Sequence, residues 1–213
     1  MHTPTPLQRK IPNALTIARI VMSAVFVALL SLYRFPDTHT WALVTAFLLF
    51  IAAALTDALD GHLARRWNAV SIFGRIADPF ADKVLIIAAF VLLAGGQFTI
   101  PDSTTQASGI LPWMVVVIIA RELLVTTIRA TLEARGIDFS ASASGKWKMI
   151  AQSVGVPAIL LILLIATWSD PDMPHWAILT NSAIAWGVVV ITAWSALPYI
   201  TRSMQALKSS PTP

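Results

Sequence analysis

Two short stretches of the 213-residue chain carry acidic groups at spacings that suit chemistry. "TDALDGHLAR" places Asp57 and Asp60 three residues apart, and "GRIADPFAD" places Asp78 and Asp82 four apart. On helices each pair projects from one face, so two helices would present four carboxylates. Gathered together, such groups repel and shift to their neutral form unless a cation lies among them. The chain has no cysteine, and an all-oxygen site favours a hard divalent ion, magnesium or manganese, over zinc. Gly61 and Ala64 stand close to the Asp57 stripe, where a ligand can approach the backbone, and Gly74 stands one turn before Asp78. Arg65 offers a planar fork suited to phosphate. A solvated helix end balanced by Arg65, Arg66 and Lys83 would account for one acidic pair, but two pairs flanked by glycines point to a site.

A second set of charges follows in "ARELLVTTIRATLEARG" and "SASGKWKM". Arg121 interrupts an apolar run, which is costly in a membrane unless the side chain meets a cavity or a partner. Glu122 is a poorly placed partner, being only one residue away. Arg121 and Arg129 are eight residues apart, about two helical turns, so both can face one groove. Lys146 and Lys148 enter from the next connection, and cations converging in this way suit a ligand that carries phosphate. Arg19, in the first apolar run, either joins a polar interior or snorkels to the surface.

The elements that must position these groups are membrane helices. Hydrophobic residues make up 56% of the chain and charged residues 12%, with a mean hydropathy of +0.72. A hydrocarbon core needs about 20 apolar residues per helix. Six candidate spans centre on residues 15–32, 41–55, 76–94, 111–128, 149–167 and 177–197. The reading is an all-α integral membrane protein, six transmembrane helices in one bundle behind a short juxtamembrane N-terminal segment. Connections are too short for a second domain, so residues 1–202 form one unit and 203–213 a disordered tail. Pro79 is best tolerated in a first turn, which puts the start of the third helix near Ile76.

Arg9, Lys10, Arg65, Arg66, Arg75, Arg135, Lys146, Lys148, Arg202 and Lys208 fall at one side of this map. That side, with both termini, is cytoplasmic by the positive-inside rule. Tyr33, Trp41, Trp113, Trp168 and Trp176 fall near the outer ends, and Trp67, Trp147 and Tyr199 near the inner ends, as interfacial aromatics do. The absence of cysteine excludes disulfides and thiolate chemistry. No soluble basic domain supports nucleic-acid binding.

The full pattern Asp57-x2-Asp60-Gly61-x2-Ala64-Arg65-x8-Gly74-x3-Asp78-x3-Asp82 resembles the signature of the CDP-alcohol phosphotransferases at all eight fixed positions, over 26 residues. The resemblance implies six membrane helices, a homodimer and a site for two divalent cations, Mg2+ or Mn2+, at the cytoplasmic face of a bacterial inner membrane. It implies that an alcohol attacks the β-phosphorus of a CDP-linked donor and that CMP leaves. By the same resemblance Asp57, Asp60, Asp78 and Asp82 are metal ligands, and Asp82 is also the base. Asn13, Thr16, Gly61, Ala64, Arg65, Ser71 and Gly74 take positions at the donor nucleotide, although an asparagine ahead of a helix is also an ordinary cap. "RELLVTTIR" with "GKWK" is similar to the phosphatidylglycerophosphate synthase branch. That implies CDP-diacylglycerol as donor and sn-glycerol 3-phosphate as acceptor, held by Arg121, Arg129, Lys146 and Lys148. A phospholipid synthase with another alcohol, such as a cardiolipin synthase, is the alternative within the family. A small cation carrier is the alternative outside it, and it would want carboxylates near mid-membrane.

Overall fold

A computed structural model describes residues 6–36, 38–67, 72–134, 143–169 and 173–209, with side chains described for most of them outside 6–12, 57–76 and 206–209. The described residues form seven α-helices: α1 Pro6–Leu32, α2 Thr40–Trp67, α3 Ile72–Leu93, α4 Pro112–Ala134, α5 Ala143–Ser169, α6 His175–Trp194 and α7 Leu197–Ser209. Proline marks several starts. Pro6 and Pro112 occupy first helical positions, where an amide proton would lack a partner anyway, and Pro174 is the N-cap of α6.

The first five expected spans each fall largely on one helix, and the sixth, 177–197, runs across the junction of α6 and α7. Asn13–Leu32, Ser144–Trp168 and His175–Gln205 are long and apolar enough to cross a membrane, and Thr40–Thr56 and Lys83–Leu93 are shorter apolar helices. The fold is all-α, and its apolar helices are those of an integral membrane protein. Leu48, Leu55, Val116, Leu123, Val154, Leu179 and Trp186 are exposed on the helix exteriors, where lipid replaces water as solvent. Inside, α1 packs on α2 and α3, α5 packs on α2, α3 and α6, and α4 packs on α3, α6 and α7. The shared core includes Phe26, Phe50, Phe90, Leu93, Ile118 and Leu160.

One end of the bundle is knitted shut. The backbone of Phe35 donates to Gln97 at 2.9 Å. The Tyr33 hydroxyl lies 3.0 Å from Thr167 Oγ1 and donates to the Pro36 carbonyl at 3.1 Å. Tyr33 is thus a core residue tying α1 to α5, not an interfacial aromatic, because its hydroxyl finds partners inside. Asn181 of α6 donates to the Ala107 carbonyl at 2.8 Å, and Ser108 Oγ donates to the Leu93 carbonyl at 2.5 Å. Trp41, Trp113, Trp168 and Trp176 are exposed at this same end, as the sequence led us to expect.

Three expectations about boundaries change. α3 begins at Ile72, four residues before the expected start, so Pro79 lies inside it. The helix forgoes one hydrogen bond, to the carbonyl of Arg75, and continues. α7 runs to Ser209 and takes in the first seven residues of the segment expected as a tail; Met204, Gln205, Ala206, Leu207 and Lys208 are good helix formers. Asn13 lies well inside α1, so it is not a cap.

Gly109 has φ +70, and a Cβ there would stand 2.6 Å from the Ser182 backbone nitrogen and 2.7 Å from the Asn181 carbonyl carbon. Gly109→Ala is therefore expected to destabilise the protein by about 1–3 kcal/mol through strain and collision. Thermal unfolding in detergent checks this, and an unchanged midpoint would show that the loop is not held against α6.

Candidate active site at the aspartate end of the bundle

The other end collects the charges. α2 finishes there with Asp57 and Asp60 in its last turns, and α3 starts there with Asp78 and Asp82. The backbone puts each pair one turn apart on consecutive helices. The side chains of Asp57, Asp60, Gly61, Ala64, Arg65, Gly74, Asp78 and Asp82, and all of Ser71, lie outside the described residues. As a donor set, four carboxylates on two neighbouring helix ends fit a hard divalent ion, which takes oxygen ligands only. No other group of three or more acidic, histidine or cysteine side chains suited to a metal occurs among the described residues.

Facing this end, α1 presents a polar stripe. Thr16, Arg19 and Ser23 are each about 1% exposed, and Asn13 is half-buried. The spacing of three and four residues continues into Phe26 and Leu30 of the core, so one helix face changes from polar to apolar along its length. Arg19 therefore belongs to the interior and does not snorkel. This face packs on α2 and α3, the two aspartate helices.

Beside α3, a cavity of about 360 Å³ opens between α3, α4, α5 and α7. All four cations singled out from the sequence, Arg121, Arg129, Lys146 and Lys148, line it. So does Lys83, adjacent in sequence to Asp82, and so does Ile86, one turn beyond Asp82 on α3. The cations are graded by depth. Arg121 is 8% exposed, Lys148 is half-buried, and Arg129 and Lys146 are exposed.

Arg121 is held from several directions. Its Nε donates to Ser195 Oγ at 2.9 Å, its Nη1 donates to Glu122 Oε1 at 3.2 Å, and its Cζ sits 5.7 Å from the centre of the Tyr199 ring. Lys148 forms an ion pair with the same Glu122 oxygen. One buried carboxylate thus serves two cations from two helices, and the cavity keeps a net positive lining. Lys83 Nζ donates to Thr126 Oγ1 at 2.6 Å, joining α3 to α4. Arg129 pairs with Glu133 at 3.5 Å on the surface, a contact that holds it only weakly. Tyr199 is buried rather than interfacial, and Gly145 makes room for it: a Cβ there would lie 2.9 Å from the Tyr199 hydroxyl.

Lys83, Glu122, Ser195 and Tyr199 complete a cavity whose outline was visible in the sequence only as four cations. Neighbouring helix positions point about 100° apart, which made Glu122 look a possible but poorly placed partner for Arg121. Long side chains close that angle when both bend toward the cavity. Nothing in the local sequence pattern marks Ser195.

The chain is also similar to known proteins along most of its length. Residues 9–197 match the family model for CDP-alcohol phosphatidyltransferase. The chain is 32% identical over 210 residues to a Bacillus subtilis protein named CDP-diacylglycerol–glycerol-3-phosphate 3-phosphatidyltransferase, covering 94% of this chain and 98% of that one. An Escherichia coli K12 protein of the same name is 33% identical over 203 residues, covering 92% and 96% respectively.

Breaking a buried ion pair by removing one partner typically costs about 3–5 kcal/mol, because a charge is left uncompensated. Glu122→Gln is expected to lower the unfolding midpoint in detergent, and inorganic phosphate is expected to restore more stability to the variant than to the wild type by replacing the lost negative charge. Equal phosphate stabilisation of the two proteins would remove Glu122 from this balancing role.

Proposed function

Because the chain belongs to the CDP-alcohol phosphatidyltransferase family, we propose that it makes phosphatidylglycerophosphate in phospholipid biosynthesis, transferring the phosphatidyl group of CDP-diacylglycerol to sn-glycerol 3-phosphate with release of CMP. The observation that carries the acceptor assignment is the cavity lined by Lys83, Arg121, Arg129, Lys146 and Lys148 beside the helix that bears Asp82. A second hydroxyl-bearing substrate without phosphate would leave this concentration of positive charge without a counterpart. The volume of about 360 Å³ accommodates a three-carbon phosphate monoester.

In this reading the acceptor's phosphate is held by Arg121 and Lys148 in the interior and by Arg129 and Lys146 nearer the opening, charge-assisted contacts that fix its orientation. The acceptor hydroxyl then meets Asp82, whose carboxylate takes its proton as the oxygen attacks the β-phosphorus. A new oxygen–phosphorus bond forms and the bond to the CMP oxygen breaks. Asp57, Asp60, Asp78 and Asp82 would hold two divalent cations, magnesium or manganese, which neutralise charge on the diphosphate. Asn13, Thr16, Gly61, Ala64, Arg65, Ser71 and Gly74 serve the donor's cytidine and phosphates. The packing of α1's polar stripe on α2 and α3 supports the inclusion of Asn13 and Thr16.

The protein works as a homodimer with six membrane spans in the bacterial cytoplasmic membrane, with both termini and the site at the cytoplasmic face. Residues 1–202 make up its catalytic unit. The gathering of Lys83, Arg129, Lys146, Lys148 and Arg202 toward the aspartate end supports that orientation. Membrane-embedded donor and water-soluble acceptor then meet at the lipid boundary.

The direct test is CMP release by the purified protein with CDP-diacylglycerol, magnesium or manganese, and a panel of alcohols; no stimulation by glycerol 3-phosphate would sink the assignment. Asp82→Asn is expected to reduce turnover by at least about a hundredfold while leaving an assembled protein that still binds metal. Near-normal activity would take Asp82 out of the base role. Arg121→Ala is expected to raise KM for glycerol 3-phosphate by about tenfold or more with little change in KM for CDP-diacylglycerol, reflecting the loss of a charged hydrogen bond. An equal loss for both substrates would count against a dedicated acceptor pocket.

A further inference from the structure

The helix that closes the cavity does not run straight through it. Pro198 has no amide proton to give the carbonyl of Trp194, so α6 stops at Trp194 and α7 starts at Leu197. Between them Ser195 keeps helical backbone angles, φ −64 and ψ −14, and its amide donates to the Ile191 carbonyl at 3.0 Å. The Ser195 hydroxyl donates to the Thr192 carbonyl at 2.6 Å, which leaves its lone pairs to accept from Arg121 Nε at 2.9 Å. One turn further, Tyr199 lays its ring 5.7 Å from the same guanidinium. Ser195 is fully buried and Tyr199 nearly so.

These contacts fix a group that would otherwise have several rotamers. With Nε on Ser195, Nη1 on Glu122 and one face near Tyr199, Nη2 is the part of the guanidinium that takes no partner among the described residues. Arginine's value in recognising phosphate lies in a planar fork whose direction is set in advance. A side chain held on Nε and on one face loses less entropy when the ligand arrives.

We propose that Ser195 and Tyr199, brought together by the α6–α7 break, are positioning residues that set the direction of Arg121 and thereby the affinity for the acceptor's phosphate. The inference rests on the acceptor reading of the cavity given above. It predicts an effect confined to one substrate, because the contacts of Ser195 and Tyr199 described above fall on Arg121, a cation of the acceptor cavity.

The test is steady-state kinetics of the full-length protein in mixed micelles of detergent and CDP-diacylglycerol, for Ser195→Ala, Ser195→Thr, Tyr199→Leu and Arg121→Ala. Ser195→Ala and Tyr199→Leu are each expected to raise KM for glycerol 3-phosphate by about five- to tenfold, the size expected for one hydrogen bond or ring contact to a charged group. KM for CDP-diacylglycerol and kcat are expected to stay within about twofold, and Ser195→Thr, which keeps the hydroxyl, to recover most of the affinity. If Arg121→Ala raises the acceptor KM but Ser195→Ala and Tyr199→Leu do not, the positioning role is wrong while the pocket stands. If Arg121→Ala leaves the acceptor KM unchanged, the acceptor reading itself fails. Parallel losses in both KM values and kcat, without recovery by threonine, would mean that the break only supports the fold, and would overturn the proposal.

Discussion

A guanidinium buried within a membrane bundle is the constraint on which the inner half of this protein turns. Arg121 follows an apolar run on α4, with 8% of its surface exposed, and a buried charge must find partners or the helix will not stay there. Four helices contribute. α4 brings Glu122, α5 brings Lys148 to share that carboxylate, the end of α6 brings Ser195, and α7 brings Tyr199. The Tyr199 ring lies 5.7 Å from this cation, and Gly145 leaves room for its hydroxyl. A hydrophobic residue in place of Arg121 would take this partner from Ser195 and Tyr199, while Glu122 would still pair with Lys148.

How far the sequence could be read depended on whether a signal was periodic. The four aspartates, and the cations at 121, 129, 146 and 148, repeat at helical intervals or lie close together, and the cations line one cavity as that spacing implied. The helices themselves announce their apolar stretches well and their ends poorly. Pro79 was a sound reason to start α3 late, yet a helix can lose one hydrogen bond and continue if its neighbours keep packing, and α3 does. Tyr33 and Tyr199 fell where interfacial aromatics fall, and only tertiary contacts reveal that their hydroxyls or rings are engaged inside. Ser195 was illegible for a related reason. A serine at a helix break is commonplace, and its meaning comes from a side chain 74 residues away.

The two ends of the bundle differ in kind. At the aspartate end, α1 offers Thr16, Arg19 and Ser23 toward α2 and α3, and α4 and α5 offer charged side chains to the cavity. Toward the other end the same helices turn apolar. Phe26 and Leu30 continue the stripe on α1, and Tyr33 ends it by bonding to Thr167. The fold thus gathers polar and charged groups at one end and reserves the remaining length for packing.

The apolar half has a consequence for the membrane as a barrier. A positively lined cavity inside a bilayer is a hazard, because it lowers the energy of an anion part of the way across. Here Met114, Val115 and Ile118 on α4, with Val156, Ile159, Leu160 and Leu163 on α5, fill the space beyond the cavity, and the loop pinned by Asn181 and Gly109 caps it. An anion drawn in by Arg121 meets a dry wall rather than a second opening. Among the described residues the cavity is thus a blind well, open at the aspartate end and backed by packed apolar side chains.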